Sequence, residues 1–179
     1  MPTLLFAILA AAGFVLASPE AWAQSWPDAP PNLVQATPTL YTSGQPPVKS
    51  LEGLKAQGFE AVVYLAPPTV QDAVRDESRI VGSQGLVFVN IPIVFDKPTE
   101  RDFETFVAVI NALGSRKVLV HCQVNLRASS MVFLYRTIVG KETPEAAWKD
   151  VEKIWTPRGP WKRLIEEQLK KHGVSFDAF

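Results

Sequence analysis

Three runs of consecutive apolar and largely β-branched residues constrain this chain more than any other feature: EAVVYLAP at 60–67, GLVFVNIPI at 85–93 and KVLVHC at 117–122. A strand with one face in water alternates polar and apolar residues, whereas a run that is apolar throughout must be covered on both faces. Between the runs the pattern turns helical. Residues 47–57 fit a helix with Pro47 in its first turn and Gly58 at its exit, and residues 70–83 fit a second. Thr99 and Asp102 have capping spacing ahead of Phe103, Phe106, Val107 and Ile110, which share one helical face up to Gly114. Residues 127–139 predict a helix with Met131, Leu134, Tyr135 and Ile138 inward, and two more follow at about 143–154 and 160–171. LYTSG, from Leu40, adds a short strand or entry loop. This alternation predicts an α/β fold with a mostly parallel central sheet of about four to five strands flanked by helices.

The N-terminal segment stands apart from that pattern. Leu4 to Leu16 is almost wholly apolar, and Ala21-Trp22-Ala23 places small residues where a signal peptidase reads, so residues 1–23 are expected to be an export signal cleaved before Gln24. The run is short for a bilayer span, yet no Lys or Arg precedes it, so a retained anchor is the other reading. Residues 24–38 hold four prolines in a polar setting and predict an extended lead-in, which leaves 39–179 as one globular domain. Once the signal is gone, no stable membrane insertion is expected.

Composition excludes several function classes. The chain has 18 basic and 18 acidic side chains, and the only charged residue of the first 23 is Glu20, so the remainder is near neutral and offers no footprint for nucleic acid. Two histidines, 121 and 172, and one cysteine give no zinc-binding spacing, and no glycine-rich nucleotide loop is present. Neither a metal nor another cofactor is expected. The lone Cys122 cannot form an internal disulfide, and an unpaired thiol in an oxidising compartment points to retention for chemistry.

Cys122 stands where the run 117–121 ends and the next helix has not begun, which is where ligands bind in sheets of this class. The helix behind it directs free amides and the positive end of its dipole at the loop, a field that favours both a bound oxyanion and a thiolate. The main-chain amides of Gln123, Val124, Asn125, Leu126 and Arg127 can ring an anion, and the Arg127 guanidinium can hold two of its oxygens. The loop lacks glycine, so any left-handed position must fall on a residue such as Asn125. Ser129 can donate to the sulfur. His121 is expected to brace the loop from the other face of the strand. Trp155, Arg158 and Trp161 are expected to pack rather than react.

VHC at a strand end with an arginine closing the loop resembles the cysteine-dependent protein tyrosine and dual-specificity phosphatases. LYTSGQP, LKAQGFEAVVYLAPP and VNIPIVFDKPT follow the element order of bacterial proteins of the dual-specificity type, over roughly residues 39–140. The resemblance implies a dual-specificity-phosphatase-like domain, a phosphorylated protein or small-molecule substrate and a phosphocysteine intermediate; it also implies a bacterial origin, for which an exported chain is expected in the periplasm. It assigns catalysis to Cys122 as nucleophile, Arg127 as phosphate clamp and Asp96, on a separate loop, as general acid. The family pattern has five residues between cysteine and arginine; here there are four, as in rhodanese-like sulfurtransferases. A persulfide-carrying sulfurtransferase and a non-catalytic anion-binding module therefore stand as alternatives.

Overall fold

The computed structural model describes residues 26–177. Five strands form one sheet: β1 (Val34–Gln35), β2 (Leu40–Ser43), β3 (Ala61–Tyr64), β4 (Val87–Asn90) and β5 (Val118–His121). Their order is β1-β2-β5-β3-β4, with β1 antiparallel to β2 and every other pairing parallel. The runs at 60–67 and 117–122 thus occupy the buried middle of the sheet as their composition requires, and β5 takes the centre with Val120 paired to both Thr42 and Val63. Among the described residues six helices connect and cover it: α1 (Val48–Glu52), α2 (Glu77–Ser83), α3 (Glu100–Leu113), α4 (Leu126–Ile138), α5 (Pro144–Glu152) and α6 (Gly159–Lys171).

Strand pleating divides the core in two. Tyr41, Val62 and Leu119 point to one face, where Leu51, Leu54, Phe59, Val81, Leu86 and Trp26 cover them. Leu40, Val63, Val118 and Val120 point to the other, under Phe103, Phe106, Met131, Leu134, Ile165 and their neighbours from the last four helices. The Thr99 and Asp102 capping box forms as its spacing predicts: Thr99 Oγ1 accepts from the Asp102 amide at 3.1 Å and Asp102 accepts from the Thr99 amide at 2.8 Å.

Four expectations need correction. The lead-in is packed: Trp26 is buried, and Val34–Gln35 adds an antiparallel edge strand, a position where prolines nearby cost no central ladder bond. The helix expected over 70–83 is only Glu77–Ser83, because Pro67 and Pro68 hold the entry extended and residues 67–77 instead make successive turns, with amides of Val70, Ala73 and Glu77 each bonded three residues back. The run 85–93, expected as a fully buried strand, is regular only over Val87–Asn90 and lies at the sheet edge with Val87 40% exposed, while the amides of Ile91 and Ile93 continue to bond to Tyr64 O and Leu65 O. The helix expected over 47–57 likewise gives way to turns after Glu52, while Gly58 takes the left-handed exit at φ 78°.

Candidate active site

Cys122 follows β5 at the carboxyl edge of the sheet and is fully buried among residues of the helix-covered face. Its amide bonds to Ser43 O at 3.3 Å, which ties it to β2. Asn125 takes the left-handed conformation, φ 74°, that the glycine-free loop demands, and so turns the chain directly into α4. Its side chain does not cap the helix: Nδ2 donates to Asn32 O at 2.7 Å and to Thr42 Oγ1 at 3.0 Å. The first intrahelical bond runs from the Ser129 amide to Asn125 O. The amides of Leu126, Arg127 and Ala128 therefore precede any intrahelical acceptor and are open to an anion.

The loop carbonyls are engaged on the outer side. Gln123 O accepts from the Gln45 amide at 2.9 Å, and Val124 O from Asn32 Nδ2 at 3.3 Å. This approach requires Gly44, where a Cβ would lie 3.0 Å from Gln123 O. Ser129 does not face the sulfur as a donor; its hydroxyl bonds back to Leu126 O at 3.2 Å, and Ser130 does the same at 2.9 Å, the usual recourse of a first-turn serine.

Arg127 is buried and fixed on three sides. Nε donates to Ile93 O at 3.1 Å, Nη1 faces Gln123 Oε1 at 3.4 Å, and the guanidinium stands 5.0 Å from the centroid of Phe95. Phe95 is held in turn by Trp161, whose indole donates to Phe95 O at 2.9 Å, and by Trp155, with ring centroids 5.9 and 6.0 Å away. The two tryptophans pack, as expected, and the ring they support forms a wall. Phe95, Val124, Leu126, Gln123, Arg127 and Asp72 line a cleft of about 290 Å³. Asp72 accepts from Gln123 Nε2 at 2.8 Å. Asp96 is exposed on the loop after β4, one residue beyond Phe95 and outside that lining. A larger groove of about 570 Å³ runs between α1 and α2 and shares no residue with the cysteine loop.

Behind the loop lies a buried polar group. His121 points to the face opposite Cys122, where its Nε2 stands 2.6 Å from Glu77 Oε1. Glu77 Oε2 accepts from Gln45 Nε2 at 3.0 Å, and Tyr64 stacks on the imidazole with centroids 4.7 Å apart. Burial raises the Tyr64 hydroxyl well above the ordinary phenol range; the negative charges of Glu77 and Asp72 add to the effect and Arg127 opposes it. Sequence reasoning missed Glu77, Gln45 and Asp72. Only Glu77 left a local signal, as a charge in line with buried Val81 one turn on.

The profile of the family described as DSP-PTPase phosphatase fused to NAD+ kinase matches residues 30–162. No curated protein matches the chain. Among solved structures, a DUF442 protein from Shewanella putrefaciens assigned as a phosphatase is 30% identical, covers 84% of this chain and 98% of its own, and superposes with a TM-score of 0.76. The core catalytic domain of the PP-IP phosphatase SIW14 from S. cerevisiae, 13% identical over 77% of this chain and 86% of its own, has a TM-score of 0.64. PTPMT1 in complex with PI(5)P, 17% identical over 79% and 96%, has a TM-score of 0.66. Central strand, cysteine, left-handed asparagine and buried arginine thus stand in a domain of known kind, and the chain belongs to the DSP-PTPase family of cysteine-dependent phosphatases, hydrolases of phosphoric monoesters.

Proposed function

We propose that Cys122 is the nucleophile of a phosphate-monoester hydrolase whose phosphate site is the amide ring from Gln123 to Arg127 together with the Arg127 guanidinium. The observation that carries this reading is the uncapped start of α4 directly behind a buried cysteine, with Arg127 fixed in the adjoining cleft. The thiolate attacks phosphorus; a P–S bond forms as the ester P–O bond breaks, and the leaving oxygen takes a proton from Asp96. Water then attacks the phosphocysteine with Asp96 as base, which releases inorganic phosphate and restores the thiolate. The amides and guanidinium hold the equatorial oxygens throughout. Asp96 is supported by its place beside Phe95, a wall of the cleft, on the loop that follows β4 at the same carboxyl edge of the sheet.

The four-residue spacing does not by itself select sulfur transfer, because Asn125 closes the shorter loop with a single left-handed residue. The test is turnover of aryl phosphates. Wild type hydrolyses them and Cys122→Ser does not; activity that survives the substitution removes Cys122 from the mechanism. Asp96→Asn slows substrates with poor leaving groups by about 10²- to 10⁴-fold and those with good ones far less, and equal slowing of both takes the acid role from Asp96. Export to the periplasm is proposed on the apolar run and the Ala21-Trp22-Ala23 motif. N-terminal sequencing of the secreted protein should begin at Gln24.

A further inference from the structure

We propose that Asp72 is a specificity-determining residue, which confines the cleft to phosphate monoesters whose remaining body is uncharged and apolar. This rests on the reading of Cys122 and Arg127 given above. The cleft lining holds one cation, Arg127, and one anion, Asp72; the rest is Phe95, Val124, Leu126 and the neutral amide of Gln123. Arg127 has Nε committed to Ile93 O and Nη1 turned to Gln123, so its remaining edge serves one phosphate group. That phosphate is met by the guanidinium and the first-turn amides of α4.

A second anionic group on the same molecule finds no partner among the lining residues. It faces the carboxylate of Asp72, held in place by the 2.8 Å bond from Gln123, or the apolar surfaces of Phe95 and of Val124, which is 51% exposed. The same bond orients the Gln123 amide, because Nε2 on Asp72 leaves Oε1 for Arg127. Asp72 thereby opposes extra negative charge and fixes the group that flanks the phosphate clamp. A flat apolar body, such as an aromatic ring, instead gains contact with Phe95, Val124 and Leu126.

The test is binding, so that it reads independently of turnover. Full-length Cys122→Ser protein is titrated calorimetrically with phenyl phosphate and with inositol hexakisphosphate, with and without Asp72→Asn or Asp72→Lys, and each variant's melting point confirms folding. Phenyl phosphate should bind the Cys122→Ser protein more tightly than the polyanion. Asp72→Asn should shift the affinity ratio toward the polyanion by about ten-fold, the scale set by a like charge roughly 7 Å away in a medium between water and protein surface, and Asp72→Lys should shift it further. Tighter binding of the polyanion to Cys122→Ser, or one ratio shared by all three proteins, overturns the assignment. Wild-type protein without phosphatase turnover would instead strike the chemistry proposed for Cys122, and the binding ratio would still be read.

Discussion

Asn125 allows one position to separate backbone strain from side-chain bonding. Its φ of 74° is a conformation that an alanine adopts at a cost of about 1 kcal/mol and a glycine adopts freely. Its Nδ2 makes two bonds, to Asn32 O at 2.7 Å and Thr42 Oγ1 at 3.0 Å, while its Oδ1 is buried without a partner. Losing the two bonds costs about 2 kcal/mol, and removing the unpaired oxygen returns up to about 1. Asn125→Gly should therefore destabilise by about 1–2 kcal/mol and Asn125→Ala by about 1 more. For a domain of this size each kcal/mol corresponds to roughly 2–4 °C in melting temperature, so calorimetry resolves the difference. Activity should fall in the same order, because the residue sets the direction in which α4 leaves the cysteine loop. Equal destabilisation by alanine and glycine would refute the strain argument; a loss under about 0.5 kcal/mol for glycine would refute the bonding one.

Two further outcomes follow from buried groups away from the cleft. Arg136 is clasped by Glu142 at 2.7 and 2.8 Å and by Asp150 at 2.6 Å; burial works against its charge, but these carboxylates outweigh it and raise the guanidinium above its ordinary range. Arg136→Met leaves two carboxylates facing each other at the foot of α4 and should cost about 3 kcal/mol, read by chemical denaturation with no change in KM. Tyr64 is the second: its raised phenol means that folding favours the protonated form, so its contribution is fully present below the ordinary value of 10 and is lost as pH climbs toward the folded-state value. Tyr64→Phe should reduce the fall in melting temperature between pH 9 and pH 11, and an unchanged slope would assign alkaline lability to other groups.

The parts of the fold that were legible are those fixed by neighbours in sequence. Ala61–Tyr64 and residues 118–120 are apolar throughout and lie in the middle of the sheet, and Thr99 with Asp102 caps α3 through a contact three residues long. The left-handed residue of the loop was legible by elimination, since no glycine was available and asparagine carries the smallest penalty. Distance in sequence hid the rest. The packing of the lead-in depends on Asn32 meeting Asn125, 93 residues away, and the rim depends on Asp72 meeting Gln123, 51 residues away. Neither contact leaves a periodic trace. Ser129 was misread because a hydroxyl one turn into a helix competes for its own backbone carbonyls before it reaches a neighbour.

Glu77 ends the irregular segment that carries Asp72 and is itself held between Gln45 and His121, one from the exit of β2 and one from the strand that leads into Cys122. A loop transplanted between residues 67 and 76 to retarget the enzyme would thus be anchored at its downstream end by a carboxylate that also braces the end of β5, next to Cys122. Engineers who exchange that stretch should stop short of position 77, because a graft that includes it would alter chemistry and recognition in a single stroke.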